Sequence, residues 1–317
     1  MKISISPSKS RIEELDFLKG VLILFVVAFH LAYIGNTYPI AKQWVYTFHM
    51  PGFLLVSGYL FNRRKCSKRF VTSMIWLAIP YLIMETGYVV MASLLPIRDH
   101  VDHLTPLLLL RKITIAPLGP YWYLHTLVVC EVTAYLILHI PHVREVSRYI
   151  LLALLYLAMA QLHVVSFANA MYFLGGIIIR LILTLSSISH FGSWIAVVPL
   201  VLLSLDPQNY GRGSLTGVAI VLSICSLIIW LSSASPRKPR LCILYIGRNT
   251  LPIYLFSPIF TILAKFYLPL MLRIDGTGLL FMVISVAFAV AGSILITAIM
   301  DKTGLSRMFF GKSRQLQ

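Results

Sequence analysis

The chemistry-bearing residues of this chain begin with Lys19 and His30, separated by ten residues of which nine are apolar and the other glycine. On an α-helix, eleven steps of 100° return to within about 20° of the starting direction and climb roughly 16 Å. Both polar groups therefore share one flank of a hydrophobic helix, and Asp16, three residues before Lys19, joins that flank at its start. An ionisable group at bilayer depth costs roughly 2.5–3.5 kcal/mol on insertion scales, so it needs a partner, a watery cavity or a function. A neutral imidazole can take and return a proton near neutral pH, which makes His30 a candidate general base for acyl transfer. Its bland alternative is a packing bond to a backbone carbonyl. Lys19 is suited to an anionic cosubstrate, or else simply snorkels.

The second constellation is Phe48-His49-Met50-Pro51, leading into Ser57-Gly58-Tyr59-Leu60. Pro51 removes a backbone donor and displaces the helical bond to Thr47, which predicts a helix broken near His49 with polar backbone at depth. Gly58 allows a second helix to approach closely, with Ser57 or Tyr59 hydrogen-bonding across the contact. A kinked packing helix is the competing use of the same residues. Two acids, Glu85 and Glu131, lie inside apolar runs, and each has His30, His49 and Lys19 as possible partners. Tyr121-Trp122-Tyr123 reads as an interfacial aromatic belt, and His125 is a weaker candidate beside it. His139, His142, His163 and His190 fall at the ends of apolar runs, where water reaches them.

The elements that must position these groups are membrane helices. Of 317 residues, 58% are hydrophobic and only 12% charged, against about 25% charged in soluble domains. The mean hydropathy is +0.84. Ten apolar runs approach the ~20 residues a spanning helix requires: 16–34, 44–61, 70–95, 121–140, 149–165, 168–184, 190–206, 214–233, 249–271 and 278–300. The seventh is interrupted by Pro199. Seventeen Lys and Arg residues fall in segments on the N-terminal side of this stack and seven on the other, a positive-inside bias that puts both termini in the cytoplasm. The expected class is thus an all-α polytopic membrane bundle. It divides into a cytoplasmic tail (1–15), a transmembrane domain (16–300) and a basic cytoplasmic tail (301–317).

Other classes fit less well. The net charge of +16 sits in short loops between spans rather than on a basic face interleaved with aromatics, which argues against nucleic acid. Cys66, Cys130, Cys225 and Cys242 show no Cys-x-x-Cys spacing and predict reduced thiols. The N-terminal apolar run is long and lacks a small-x-small cleavage site, so it reads as a retained first helix. The longest connection, 96–120, holds Arg98, Asp99, His100, Asp102 and His103, too incomplete a set for a metal site, and then an apolar piece that suits a re-entrant or surface-lying segment.

Together these motifs resemble the acyltransferase 3 family of bacterial membrane O-acyltransferases. Leu15-Asp16-Phe17-Leu18-Lys19-Gly20 running to His30 is similar to that family's basic residue, ten-residue gap and histidine. Phe48-His49-Met50-Pro51 through Ser57-Gly58-Tyr59-Leu60 is similar to its sugar-acetylase branch. The basic run 63–69, Ile79-Pro80-Tyr81, Pro120-Tyr121-Trp122-Tyr123-Leu124 and Ile246-Gly247-Arg248-Asn249-Thr250 with Ile253-Tyr254-Leu255 continue the likeness. It covers about 16–260 and agrees with the family's ten-helix topology. Two departures stand out: Ser257 occupies a position where members often carry histidine, and Lys19 replaces a common arginine.

The resemblance implies transfer of an acyl group, usually acetyl, from acyl-coenzyme A to a carbohydrate hydroxyl. His30 would be the base, His49 would position or polarise the acceptor, and Asp16 would orient Lys19 near the coenzyme. Arg63 and Arg64 would add attraction for its phosphates, and Ser57, Tyr59, Glu85, Trp122 and Glu131 are expected near the acceptor. No metal and no tightly held cofactor is implied; acetyl-coenzyme A is a cosubstrate. The expected partners are acyl-coenzyme A, a cell-surface polysaccharide or its lipid-linked precursor, and the inner (plasma) membrane bilayer. A transporter or flippase for a glycan or small anion is the alternative that broken helices and buried charges also suit. A catalytically silent member acting in assembly is left open by Ser257.

Overall fold

The computed structural model describes residues 11–94, 100–184 and 187–317. Most of the expected N-terminal tail, and Arg98 and Asp99, lie outside the described residues. What is described is all-helical, without a strand. The α-helices are α1 (Glu13–His30), α2 (Ala32–Thr37), α3 (Pro39–Leu60), α4 (Ser67–Leu94), α5 (Pro106–Thr114), α6 (Trp122–Leu138), α7 (Glu145–Gln161) and α8 (Phe167–Ile182). They continue with α9 (Val197–Ser204), α10 (Leu215–Ala234), α11 (Arg237–Arg248), α12 (Thr250–Leu263), α13 (Leu268–Ile274), α14 (Leu279–Thr303) and α15 (Leu305–Phe310).

Among the described residues, four helical stretches are long and apolar enough to cross a membrane: Ser67–Leu94, Pro106–Leu138, Leu215–Ala234 and Leu279–Thr303. Thr250–Phe266 and Leu268–Ile274, bent by 64° where they meet, make a fifth if the pair is one span. The outside of the bundle is apolar. Val71, Ile75, Leu82 and Ile83 on α4, Ile150 and Leu154 on α7, and Val283, Leu295 and Ile299 on α14 are all exposed. Apolar surface on this scale is rare on a soluble monomer and fits a lipid solvent.

Helix α1 is the axis of the molecule. It is apolar on nearly every side, which buries a helix rather than leaving it on a surface, and it touches α3, α10, α11, α12 and α14. Two glycine crossings set the spacing. A Cβ on Gly58 would strike the Phe173 carbonyl and one on Gly176 the Leu55 carbonyl, so α3 and α8 meet backbone to backbone. Gly20 and Gly247 do the same for α1 and α11.

Four expectations change. The first helix does not continue to residue 34: Leu31 is extended and ends α1 at His30, so the break expected near His49 falls beside the other histidine. Helix α3 runs unbroken through Pro51; with α1, α8 and α10 packed against it, the one lost ladder bond is not enough to open it. The seventh run yields only the eight residues of α9 after two 3-10 turns, because Gly192 and Ser193 interrupt it. The basic segment before residue 249, read as a loop, is the amphipathic helix α11. The apolar piece after His103 forms α5, capped by the Thr105 hydroxyl accepting from Leu108 N–H at 3.2 Å. All four cysteines are free.

Candidate active site

The breaks and crossings leave three cavities, each sharing wall residues with the next. The first, of about 230 Å³, is lined by His30, Tyr46, His49, Met50, Pro120, Trp122, Asn169, Arg212 and Tyr254. The second, about 190 Å³, is a largely apolar neck with Lys19, Ser57 and Tyr123 in its wall, and shares Met50 and Tyr254 with the first. The third, about 860 Å³, is a wide mouth bearing Arg64, Lys65, Arg69 and Lys312, with Glu131 its lone acid; it shares Ser57, Leu60, Leu77 and Leu251 with the neck. Lys19 and His30 therefore do not share one cavity. They open into adjacent ones.

The two histidine rings are 6.5 Å apart, edge to face, with Tyr46 beside both. Each ring is tied to its own helix. His30 Nδ1 lies 2.6 Å from the Val26 carbonyl, and His49 Nδ1 lies 2.7 Å from that of Val45. A carbonyl only accepts, so both Nδ1 atoms must carry hydrogen and donate. In the neutral ring Nε2 is then the bare, basic nitrogen. His30 is exposed within its cavity and His49 is buried in the wall.

At the neck, Lys19 Nζ is 2.7 Å from Asp16 Oδ1. Asp16 in turn faces Arg248 at 3.7 Å, and Glu13 binds Arg240 at 2.8 Å and Arg248 at 3.4 Å. The Gly20–Gly247 crossing makes this cluster, because it lets α11 carry its arginines against the start of α1. Ser57, which lines both neck and mouth, is hydrogen-bonded to the Tyr123 hydroxyl at 3.0 Å.

The remaining expected residues divide. Trp122 faces the histidine cavity rather than serving only as a belt residue, and Glu131 lines the mouth. Glu85 pairs with none of His30, His49 or Lys19: its carboxylate accepts from Leu118 N–H at 2.5 Å. It thereby fixes the turn before Pro120, whose carbonyl takes the Tyr254 hydroxyl. Tyr59 donates to the Thr184 carbonyl at 2.8 Å, away from the histidines. Arg63 is bound to Glu145 and faces a second basic cleft with Arg64, Arg11 and Arg180. His125 bonds the Thr114 carbonyl at 2.8 Å, a structural use. Ser257 is buried on α12. Among the described residues no three His, Cys, Asp or Glu side chains group to hold a metal.

Sequence reasoning missed Asn169, Arg212 and Tyr254 as cavity residues. Arg212 reads as one loop charge among many, and only the fold carries it to the histidines.

A family model described as an acyltransferase domain matches residues 12–298. Neither a curated relative nor a solved structure matches the chain.

Proposed function

The chain belongs to the acyltransferase 3 family, and from that premise we propose that it is a multi-pass inner-membrane enzyme moving an acyl group, acetyl in the first instance, from acyl-coenzyme A to a carbohydrate hydroxyl. The reading includes ten membrane crossings, both termini in the cytoplasm, and a transmembrane domain over 16–300 between short tails. One observation carries it: a basic mouth, an apolar neck and a two-histidine cavity in sequence.

The mouth suits the phosphates of a coenzyme. Arg64, Lys65, Arg69 and Lys312 give a concave positive surface, and such a surface focuses its field on an incoming anion. The neck suits the thin pantetheine arm with its acyl group, since its walls are Ile23, Phe53, Val56, Leu77 and Leu127. Lys19, held by Asp16, adds a positive charge along the way. The acceptor hydroxyl then meets the thioester beside His30.

In the step itself the hydroxyl oxygen bonds to the thioester carbonyl carbon while His30 Nε2 takes its proton. The tetrahedral adduct collapses, the carbon–sulfur bond breaks, and the imidazolium returns the proton to the departing thiolate. His49, with its Nε2 free by the same argument, positions or polarises the acceptor hydroxyl. Holding both reactants in this geometry is a large part of the acceleration.

The test is transfer from radiolabelled acetyl-coenzyme A to a panel of glycan acceptors by protein in lipid. His30→Ala is expected to lower kcat by about 10²–10⁴-fold, the usual value of general base catalysis. Undiminished transfer in that variant would sink the assignment of the base. Acceptor flux across vesicles without any transfer would instead favour a transporter.

A further inference from the structure

Resting on the acyltransferase reading of the histidine cavity, we propose that its acceptor is an anionic sugar, with Arg212 holding the acidic group and Asn169 taking a ring hydroxyl. None of the nine lining residues is acidic, and Arg212 is the cation among them. Among the described residues it has no carboxylate within ion-pair distance, unlike Arg63, Arg240 and Arg248. Unpaired arginine in a concave site is suited to a carboxylate or phosphate, which its planar fork binds through two parallel bonds.

The loop that carries the cation is anchored. Tyr172 on α8 donates to the Arg212 carbonyl at 2.9 Å. Thr47 on α3, two residues from His49, donates to the carbonyl of Tyr210 at 2.9 Å. Ser214 caps α10 immediately afterwards, accepting from Gly217 N–H at 3.0 Å. The loop is thus anchored on three helices that surround the cavity.

Asn169 supplies the second, independent observation. It is buried, at 4% exposure, and lines the cavity, yet its Oδ1 has no hydrogen-bond partner. A buried acceptor left open is costly to the fold unless a ligand or water donates to it. A sugar hydroxyl is such a donor. The cavity, at about 230 Å³, has room on the scale of one ring.

The same anionic chemistry has two acceptor sources, an acidic sugar with a carboxylate or a sugar phosphate, and a dicarboxylic acyl donor would bring it from the other substrate. The test measures binding of methyl glucuronide, glucose 1-phosphate and neutral methyl glucoside to the full chain in lipid nanodiscs. At least one anionic ligand is expected to bind tenfold or more tightly than the glucoside, and which one leads identifies the source. Arg212→Gln should erase the preference and Arg212→Lys retain part of it; the exposed loop position makes both variants tolerable to the fold. Equal binding of the three, binding of none, or a preference that survives in Arg212→Gln overturns the proposal. So does an Arg212-dependent preference for succinyl- over acetyl-coenzyme A with neutral acceptors, which assigns the anion to the donor. Failure of the enzymatic reading looks different: charge preference persists in binding, but no acyl group moves to any acceptor.

Discussion

The mouth and the histidine cavity, each sharing wall residues with the neck between them, are built on contrasting plans. The mouth is wide, about 860 Å³, and carries four cations around a single acid. The histidine cavity is about a quarter of that volume, its two imidazoles are each tied to a backbone carbonyl, and its arginine stands on a loop whose main chain is held by Tyr172. Redundant surface charge attracts a flexible, highly charged ligand with little demand on geometry. Fixed groups in a small space are what bond-making needs, where an error of 1 Å is expensive. The contrast teaches that substitutions at the mouth should be graded and additive, while those in the cavity should be abrupt.

The strongest way to break this contrast is to separate the two regions. Ser57 lines both mouth and neck, so on the proposed route Ser57→Phe should plug the passage. Transfer is expected to fall by about 10²-fold, the scale of misplacing a reactant, while coenzyme binding at the mouth, measured by filter retention, stays within about twofold. Ser57→Ala, which leaves the passage open, should keep most activity. If the plugged variant transfers normally, the neck is not the route.

Next in size, Arg64→Ala combined with Lys65→Ala and Arg69→Ala should raise KM for acyl-coenzyme A by roughly tenfold with kcat nearly unchanged, the mark of lost uniform binding. Arg64→Ala alone should cost about two- to threefold, as expected for one screened charge. Steady-state kinetics over a salt series checks both: the wild-type advantage should shrink as salt rises. A collapse of kcat in any of these variants would mean that the mouth takes part in chemistry.

The smallest effect concerns Arg63, which the mouth does not use. Its hydrogen bond holds the Glu145 carboxyl below the ordinary glutamate range. A carboxyl depressed in the folded state stabilises at pH above its ordinary value, and the contribution disappears as pH falls through the lowered one. Because both side chains are substantially exposed, the gap in thermal midpoint between wild type and Glu145→Gln should correspond to less than about 1 kcal/mol at pH 7. It should vanish at acid pH, and a gap that widens there would reverse the assignment.

What the sequence made legible was the set of groups on regular helices. Lys19, Asp16 and His30 follow from a helical spacing, and Trp122, Glu131 and Ser57 lie where cavities are found. Periodicity could not reveal Arg212 or Asn169, because they reach the site through contacts between α3, α8 and the loop before α10. Nor does any proline or glycine at position 31 announce the break that ends α1 at His30; Pro51, the obvious breaker, is overruled by packing. The helix α11 was hidden for a related reason: Pro239 and its charges look like loop, whereas Gly247 against Gly20 gives it a docking place.

The pinned Nδ1 atoms carry a consequence for proton traffic. With one nitrogen of each imidazole engaged to its own helix, a hydrogen ion can arrive and depart only through the other. Neither ring can act as a wire that passes charge from one side of the bilayer to the other. On the proposed mechanism, the proton taken from the alcohol goes back to the thiol within the same turnover, so the two histidines store no charge between cycles.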